Sequence, residues 1–390
     1  LKILHVAASY LPAVRYGGTI VSVHGLCRAL ARRGHDVHVF TTSVDGPKDS
    51  AVPHNTAVEI DGVKVWYFRS QQARRLYFAP PLAGMLRDHV HEFAVVHTHA
   101  IYLWPLWTAA RAARAAGVPY VVSPRGMLEK ELIENRSLLW KAALIGFVEK
   151  RTLENAAAVH FTSRREADEA RAFGFDLPPA CEIPNGVDIH SDATGEVSPS
   201  IETIMAQGPY ALFLGRINWK KGLDRLIRAL AQAPQVRLVL AGNDEEGYRQ
   251  ILEPLAQAHG VARRVVFAGR VAGADKLALL EQAQFLVLPS YSENFGNVVL
   301  EAMAAGRPVI VTPEVGVADL VRDAGVGLVA DGDAAPLGAA MTRLVDDPGL
   351  AQALGARGQS LAMEQFTWDA VAARMEALYE QVTSGRLPAC

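Results

Sequence analysis

The chain has 390 residues, half of them hydrophobic, with 39 basic against 41 acidic side chains and a formal net charge of -2. That length exceeds what one hydrophobic core serves, so two domains are expected, and the near-neutral balance excludes a nucleic-acid binder held by a general electrostatic field. Cys27, Cys181 and Cys390 are too scattered for a disulfide framework or a metal-ligand pattern, and no run of about 18 apolar residues exists, so a soluble or peripheral protein of a reducing cytoplasm is expected.

"KILHVA" (2–7) reads as a short apolar strand. A loop with Gly17 and Gly18 follows, then Ile20, Val23, Leu26 and Leu30 at helical spacing, closed by Gly34, and a second strand at 36–42. Strand, helix and strand in that order require a parallel sheet. The glycine pair either lets backbone approach a ligand in front of a helix N-terminus or forms a tight loop with no ligand. "RYGGTIVSVHG" is not the G-x-G-x-x-G fingerprint and no acid ends the strand at 36–42, which disfavours an NAD-dependent dehydrogenase. Further strands are expected at 62–68, 94–99, 119–123 and 157–163. The one at 94–99 ends in His97 and His99, which share a face. Each could be a zinc ligand, an acid/base group or a satisfied buried imidazole, and with no third ligand at a suitable spacing no metal is expected. His99, nearer the strand's carboxyl end, is expected to face a cleft. "SPRGMLEKE" (123–131) puts Arg125 on a turn after a strand, a cation suited to an acceptor-side contact. Residues 138–156 mix Leu, Ile and Phe with Trp140, Lys141, Lys150 and Arg151, as in a helix packed on the sheet or an interfacial helix with snorkelling cations. Residues 1–190 hold 22 cationic and 18 anionic side chains, net +4, which would suit an acidic partner or an anionic membrane surface but is more often plain solvation, and the remainder is net -6 from 17 and 23.

After "IPNGVD" (183–188) the polar stretch 189–208 reads as a linker or an excursion near a domain boundary. Strands are then expected at 210–217, 236–242, 265–271, 285–290 and 308–312, with a helix after each of the first four. Two doubly wound domains bind ligands at the carboxyl ends of their strands, hence in the cleft between them. At the first of these ends, Arg216 and Lys221 stand before a helix N-terminus, the elements of a diphosphate site or of an ordinary solvated loop. In "SENFGNVVLEAMAAG" (292–306), Glu293 follows an apolar strand and Glu301 lies about one turn inside a helix. "DGD" (331–333) reads as a turn and helix cap rather than a metal motif.

Together "GRINWKKG", "SENFGNVVLEAMAAGRPVIVT", "IPNGVD" and the glycine loop resemble the retaining, GT-B-fold glycosyltransferases of family four over essentially the whole chain. The most specific element is Glu293 and Glu301 separated by seven residues, the family's E-x7-E motif. The resemblance implies an α/β protein with two Rossmann-like domains facing a central cleft. Residues 1–190 would form the acceptor-side domain, 205–365 the nucleotide-sugar domain, and 366–390 a helix crossing back to the first. It makes Arg216 and Lys221 the donor diphosphate clamp, Glu301 a ribose contact and Glu293 the group facing the donor sugar. Asn294, Phe295, Gly296 and Asn297 would approach phosphate and sugar, and Arg270 and Val271 would border the base. Gly18 would approach the donor and His99 the transferred sugar, which makes His99, Glu293, Arg216 and Lys221 the catalytic set. Many relatives carry histidine where this chain has "SPRGM", so Arg125 stands in a changed position.

The function implied is metal-free transfer of a hexosyl unit, with no cofactor, from a nucleoside-diphosphate sugar to a saccharide or lipid-linked acceptor. The place implied is the cytoplasm, at the inner face of the membrane if the protein is peripheral. A sugar-nucleotide epimerase and an idle nucleotide-sugar-binding paralogue are the alternatives. A glycosidase using Glu293 and Glu301 ranks well below transfer, because it leaves the phosphate-type site idle.

Overall fold

The computed structural model describes residues 1–13, 17–128, 148–172, 174–189, 195–244 and 246–387. Trp140 and Lys141 therefore lie outside the described residues. The chain divides into two compact units, Leu1–Gly186 with Trp368–Cys390, and Val187–Thr367.

The first unit is built on ten strands: β1 (Lys2–Ala7), β2 (Asp36–Thr42), β3 (Val44–Asp45), β4 (Lys48–Asp49), β5 (Ala57–Ile60), β6 (Val63–Phe68), β7 (Val95–His99), β8 (Tyr120–Ser123), β9 (Ala158–Phe161) and β10 (Ala180–Glu182). Eight of them form one sheet in the order β10-β9-β8-β7-β1-β2-β6-β5, and β3 and β4 make a separate small hairpin. Only β5 runs antiparallel in that sheet, at its edge. Central strands β1, β2, β7 and β8 are buried along almost their whole length, as strands covered on both faces must be. The chain leaves β1 toward β2 on one side and later returns to pair β7 on the other, so the strand order reverses between β1 and β7. The last helix, Trp368–Thr383, packs on the first, Gly18–Arg32. Glycine makes the close approach possible, because a Cβ on Gly25 would stand 2.2 Å from the Trp368 indole.

The second unit has β11 (Ala211–Leu214), β12 (Leu238–Ala241), β13 (Val265–Gly269), β14 (Phe285–Leu288), β15 (Val309–Val311) and β16 (Gly327–Val329), all parallel, in the order β13-β12-β11-β14-β15-β16. This is the doubly wound order, and its switch point lies between β11 and β14. One continuous apolar core fills both faces of the sheet.

Two expectations need correction. The stretch expected as a linker contains a helix, Pro199–Ala206, with proline at its first turn and Ile201 and Ile204 buried in the second unit's core. Two apolar anchors in a polar run were enough to fix it. "DGD" supplies the residue before helix Ala334–Asp346, but the Asp333 side chain makes no capping hydrogen bond. Cys27 is a buried free thiol, and Cys390 lies outside the described residues.

Candidate functional site

The switch point of the second unit gathers two loops. After β11 the chain runs through Gly215 and Arg216 into a single 3-10 turn, Trp219–Lys221, and then helix Leu223–Leu230. Gly222 joins turn to helix at φ +63°, and a Cβ there would lie 2.0 Å from the Pro289 carbonyl oxygen. Only glycine lets the helix start this close to the neighbouring loop. No side chain caps that helix, so its first amides remain available. The Lys221 stem passes over Gly215, since a Cβ built there would be 4.0 Å from Lys221 Cε. Arg216 is exposed on the same loop.

The second loop follows β14. Tyr291 N–H donates to the Lys220 carbonyl over 2.8 Å, and Gly316 N–H donates to the Glu293 carbonyl over 2.8 Å. The loop is thereby held from both sides, and Arg225 braces it further. Its guanidinium stacks 3.7 Å above the Tyr291 ring and pairs with Glu314 at 3.1 Å. Gly296, at φ +97°, turns the chain into helix Asn297–Ala304, whose N-terminus also lacks a side-chain cap. Phe295 is buried there, while Asn294 and Asn297 are half-buried.

Within this frame the two acids meet different partners. Glu293 forms an ion pair with Lys221, joining the two loops. Glu301, one turn into its helix, pairs with Lys276 at 2.7 Å. Lys276 belongs to helix Gly273–Gln282, which begins two residues after Val271 and the exposed Arg270. The resemblance brought Arg216, Lys221, Glu293 and Glu301 to notice but not Lys276, Arg225 or Glu314. Arg225 is legible as a cation one turn into the helix after "NWKKG", whereas nothing local marks Lys276 as the partner of an acid 25 positions on.

The first unit carries a cluster of imidazoles at its own reversal point. In-register pairing of β1 with β7 sets His5 beside His97. The nearest ring nitrogens of His5, His97 and His99 lie within 4.8 Å of one another, and all three side chains are buried. His5 is therefore the third imidazole that spacing did not supply. His5 Nδ1 is 2.8 Å from His99 Nε2, and Arg125 Nη2–H donates to His99 Nδ1 over 3.3 Å. An accepting Nδ1 leaves the proton of neutral His99 on Nε2, which then donates to His5. That tautomer cannot ligate a metal through Nε2, and the guanidinium repels a cation. The cluster consequently fits an imidazole relay better than a metal centre.

Burial is the first cause that keeps these rings neutral. It pushes His5 and His160 each down to about 3 and draws His97 and His99 well below the ordinary histidine value, with Arg125 adding to the effect on all four. Tyr379 of the last helix lies 2.6 Å from His97 Nδ1, and His160 donates to the Ile183 carbonyl over 2.7 Å. Arg125 itself has φ +57° and gives its other terminal nitrogen to Asn185 Oδ1 at 2.6 Å. Its fork is occupied within the first unit, on His99 and on the "IPNGVD" segment. Gly18 is exposed at the start of helix Gly18–Arg32, behind Gly17 at φ +61°.

Elsewhere in this unit a groove of about 980 Å³ runs beside helix Trp104–Ala115, lined by Trp104, Trp107, Arg111, Arg114 and Arg151 among others, with no acidic side chain among the described residues of its lining. Trp107 indole N–H donates to the buried Glu149 carboxylate, whose burial pushes it up to about 7. No helix among the described residues is long and apolar enough to cross a membrane.

Two family models match the chain: "Glycosyl transferases group 1" over residues 197–361 and "Glycosyl transferase 4-like domain" over residues 17–186. A D-inositol 3-phosphate glycosyltransferase of Xylanimonas cellulosilytica is 30% identical over 95% of this chain and 93% of its own length. Among solved structures, sucrose-phosphate synthase of Thermosynechococcus elongatus superposes with a TM-score of 0.76 at 26% identity, covering 98% of this chain and 99% of that one. Anabaena HepE, solved with UDP-glucose, gives 0.74 at 21% identity over 97% and 99%.

Proposed function

The chain belongs to the group 1, GT4-like glycosyltransferases of GT-B fold, and from that premise we propose that it moves a hexosyl unit from a nucleoside-diphosphate sugar to an acceptor hydroxyl with retained anomeric configuration and without a metal. The observation that carries this reading is the pairing at the β11–β14 switch point of a cation-bearing loop, Arg216 and Lys221, with an acid-bearing loop, Glu293 to Glu301. A diphosphate needs cations and free amides, while sugar hydroxyls need carboxylate acceptors. The site holds both. The UDP-glucose seen in HepE is the kind of donor that this combination suits.

In the reaction the bond between the anomeric carbon and the diphosphate oxygen breaks, and the acceptor oxygen bonds to the same carbon on the same face. The acceptor's proton passes to the departing phosphate oxygen. Arg216, Lys221 and the uncapped N-termini of helices Leu223–Leu230 and Asn297–Ala304 stabilise the charge growing on that phosphate, an electrostatic contribution with no proton transfer to the protein. Glu293 orients the sugar, Glu301 holds the ribose, and His99 is assigned to the transferred sugar, which it meets by giving up its bond to His5 or to Arg125. An epimerase on this scaffold would change the donor without an acceptor, and an idle paralogue would bind it without turnover.

A thermal-shift screen of UDP, GDP and their sugars tests the donor class, because a ligand bound only by the folded state raises its midpoint. Transfer from the donor so found is expected to persist in EDTA. Loss of turnover in chelator, restored by manganese or magnesium, would contradict charge neutralisation by Arg216 and Lys221.

For the acceptor we favour a lipid-linked saccharide, as in polysaccharide or glycolipid assembly, met by peripheral association with a membrane. The groove beside Trp104, Trp107, Arg111 and Arg114 supports this, since the aromatic and cationic side chains of its described lining suit an anionic bilayer surface. Lys150, exposed in helix Lys150–Glu154, stands next to Arg151 of that lining. Salt-sensitive sedimentation with anionic vesicles, and not with neutral ones, is expected to weaken in an R111E/R114E double variant. Equal recovery of both proteins would return the groove to an ordinary solvated surface.

A further inference from the structure

We propose that Lys276 is a positioning residue for nucleoside recognition, holding the Glu301 carboxylate so that one of its oxygens is presented to the donor ribose. The proposal rests on the reading of Glu301 as the ribose contact. Lys276 Nζ engages Glu301 Oε1 at 2.7 Å, while the side chains of both residues keep partial access to solvent, 35% and 25%. Leu300 and Ala302 on either side of Glu301 are fully buried, so the helix itself is fixed and only the carboxylate's own rotation is left to control. One oxygen held by an ammonium stops that rotation. A carboxylate accepts at both oxygens, so the other remains free for a hydroxyl.

Charge gives the same lysine a second part in the arrangement. Glu301 left alone would be an uncompensated anion in a site that must admit a diphosphate. Glu293 is compensated in the same way by Lys221, and each lysine comes from a different element than its acid. The two acids of the motif are thus each held by a separate lysine, and Lys276 stands to Glu301 as Lys221 stands to Glu293. Lys276 also enters from helix Gly273–Gln282, directly behind Arg270 and Val271, the segment assigned to the base. An ion pair this exposed contributes little to stability, so its removal leaves the fold intact.

The test measures the ribose preference, the ratio of dissociation constants for a nucleoside diphosphate and its 2′,3′-dideoxy counterpart, with both uridine and guanosine forms. Wild type, Lys276→Ala, Lys276→Arg and Glu301→Ala are compared at low and high salt. Lys276→Ala is expected to lower the preference roughly tenfold, the scale of one hydrogen bond to a charged group, and Lys276→Arg to restore most of it. If Glu301→Ala loses the preference and Lys276→Ala keeps it, Lys276 does not position the acid and the proposal falls while the ribose reading stands. Equal weakening of ribo and dideoxy forms, erased by salt, reduces Lys276 to a general charge and also overturns it. A preference surviving in Glu301→Ala removes the ribose from Glu301, and both readings fail together.

Discussion

Between pH 6.5 and 4.5 the first unit is expected to lose about 3–4 kcal/mol of folding stability per pH unit, a large share of the roughly 5–15 kcal/mol that holds a domain together. His5, His97, His99 and His160 are buried and neutral, with folded-state values depressed below the ordinary 6.5. Well above pH 6.5 neither folded nor unfolded chain protonates them, and their contribution is fully present. As the pH falls the unfolded chain takes up to four protons that the fold refuses, each costing about 1.4 kcal/mol per pH unit. Glu149 acts in the opposite sense. Burial raises it to about 7, so in this window the fold keeps a proton there that the unfolded chain has released, and the raised Glu166 adds a smaller effect of the same sign. The net difference is two to three protons. The charged and polar groups around the cluster, Arg125 and Tyr379, do not titrate in this range. Depressed carboxylates such as Glu92 begin to act near its lower edge, in the same sense as the histidines. Urea unfolding followed by tryptophan fluorescence reports mainly this unit, because Trp219 is the sole tryptophan of Val187–Thr367. A flat stability between pH 6 and 5 would show that the imidazoles are accessible to protons in the fold. His160→Gln, which can keep the bond to Ile183, should reduce the slope by about 1.4 kcal/mol per pH unit.

That cluster also shows where reading the chain stops. Strands β1, β2, β7, β8, β11, β12, β14 and β15 were visible because parallel strands buried on both faces are continuous apolar runs, and the half-buried edge strand β13 was visible because it too is an apolar run. The edge strand Ala57–Ile60 alternates exposed with half-buried residues and shows no such run, and β10 and β16 span only three residues each. His97 and His99 announced themselves by spacing on one strand. His5 did not, because its neighbourhood comes from the register of β1 on β7, a long-range fact that no local pattern encodes. The same division holds in the second unit. Glu293, Glu301, Arg216 and Lys221 were found by motif, yet the motif is silent on which cation each acid meets. Contacts between loops that are 72 residues apart, as for Lys221 and Glu293, follow from the β11–β14 switch and are not written beside either residue.

The pairing of acids with lysines sharpens the expectation for the two glutamates, which should fail in different ways. Glu301→Ala removes the group assigned to the ribose, present in the free diphosphate and in the sugar donor alike. Binding of nucleoside diphosphate is expected to weaken by roughly 10- to 100-fold, the scale of a hydrogen bond to a charged acceptor. Glu293→Ala removes a group assigned to the sugar, which the free diphosphate lacks. It also releases Lys221 from its ion pair, leaving that ammonium to a phosphate alone, so diphosphate affinity should stay level or rise. Turnover is expected to fall by about 10²-fold, and discrimination between two epimeric donors should narrow, because a site built to hydrogen-bond a hydroxyl loses selectivity when its acceptor goes. Calorimetry with the diphosphate alone, set beside transfer rates for the two donors, separates the cases. Equal loss of diphosphate binding in both variants, with sugar preference unchanged, would mean that the Glu293–Lys221 pair serves to join the loop after β11 to the loop after β14, and that neither acid reads the ligand.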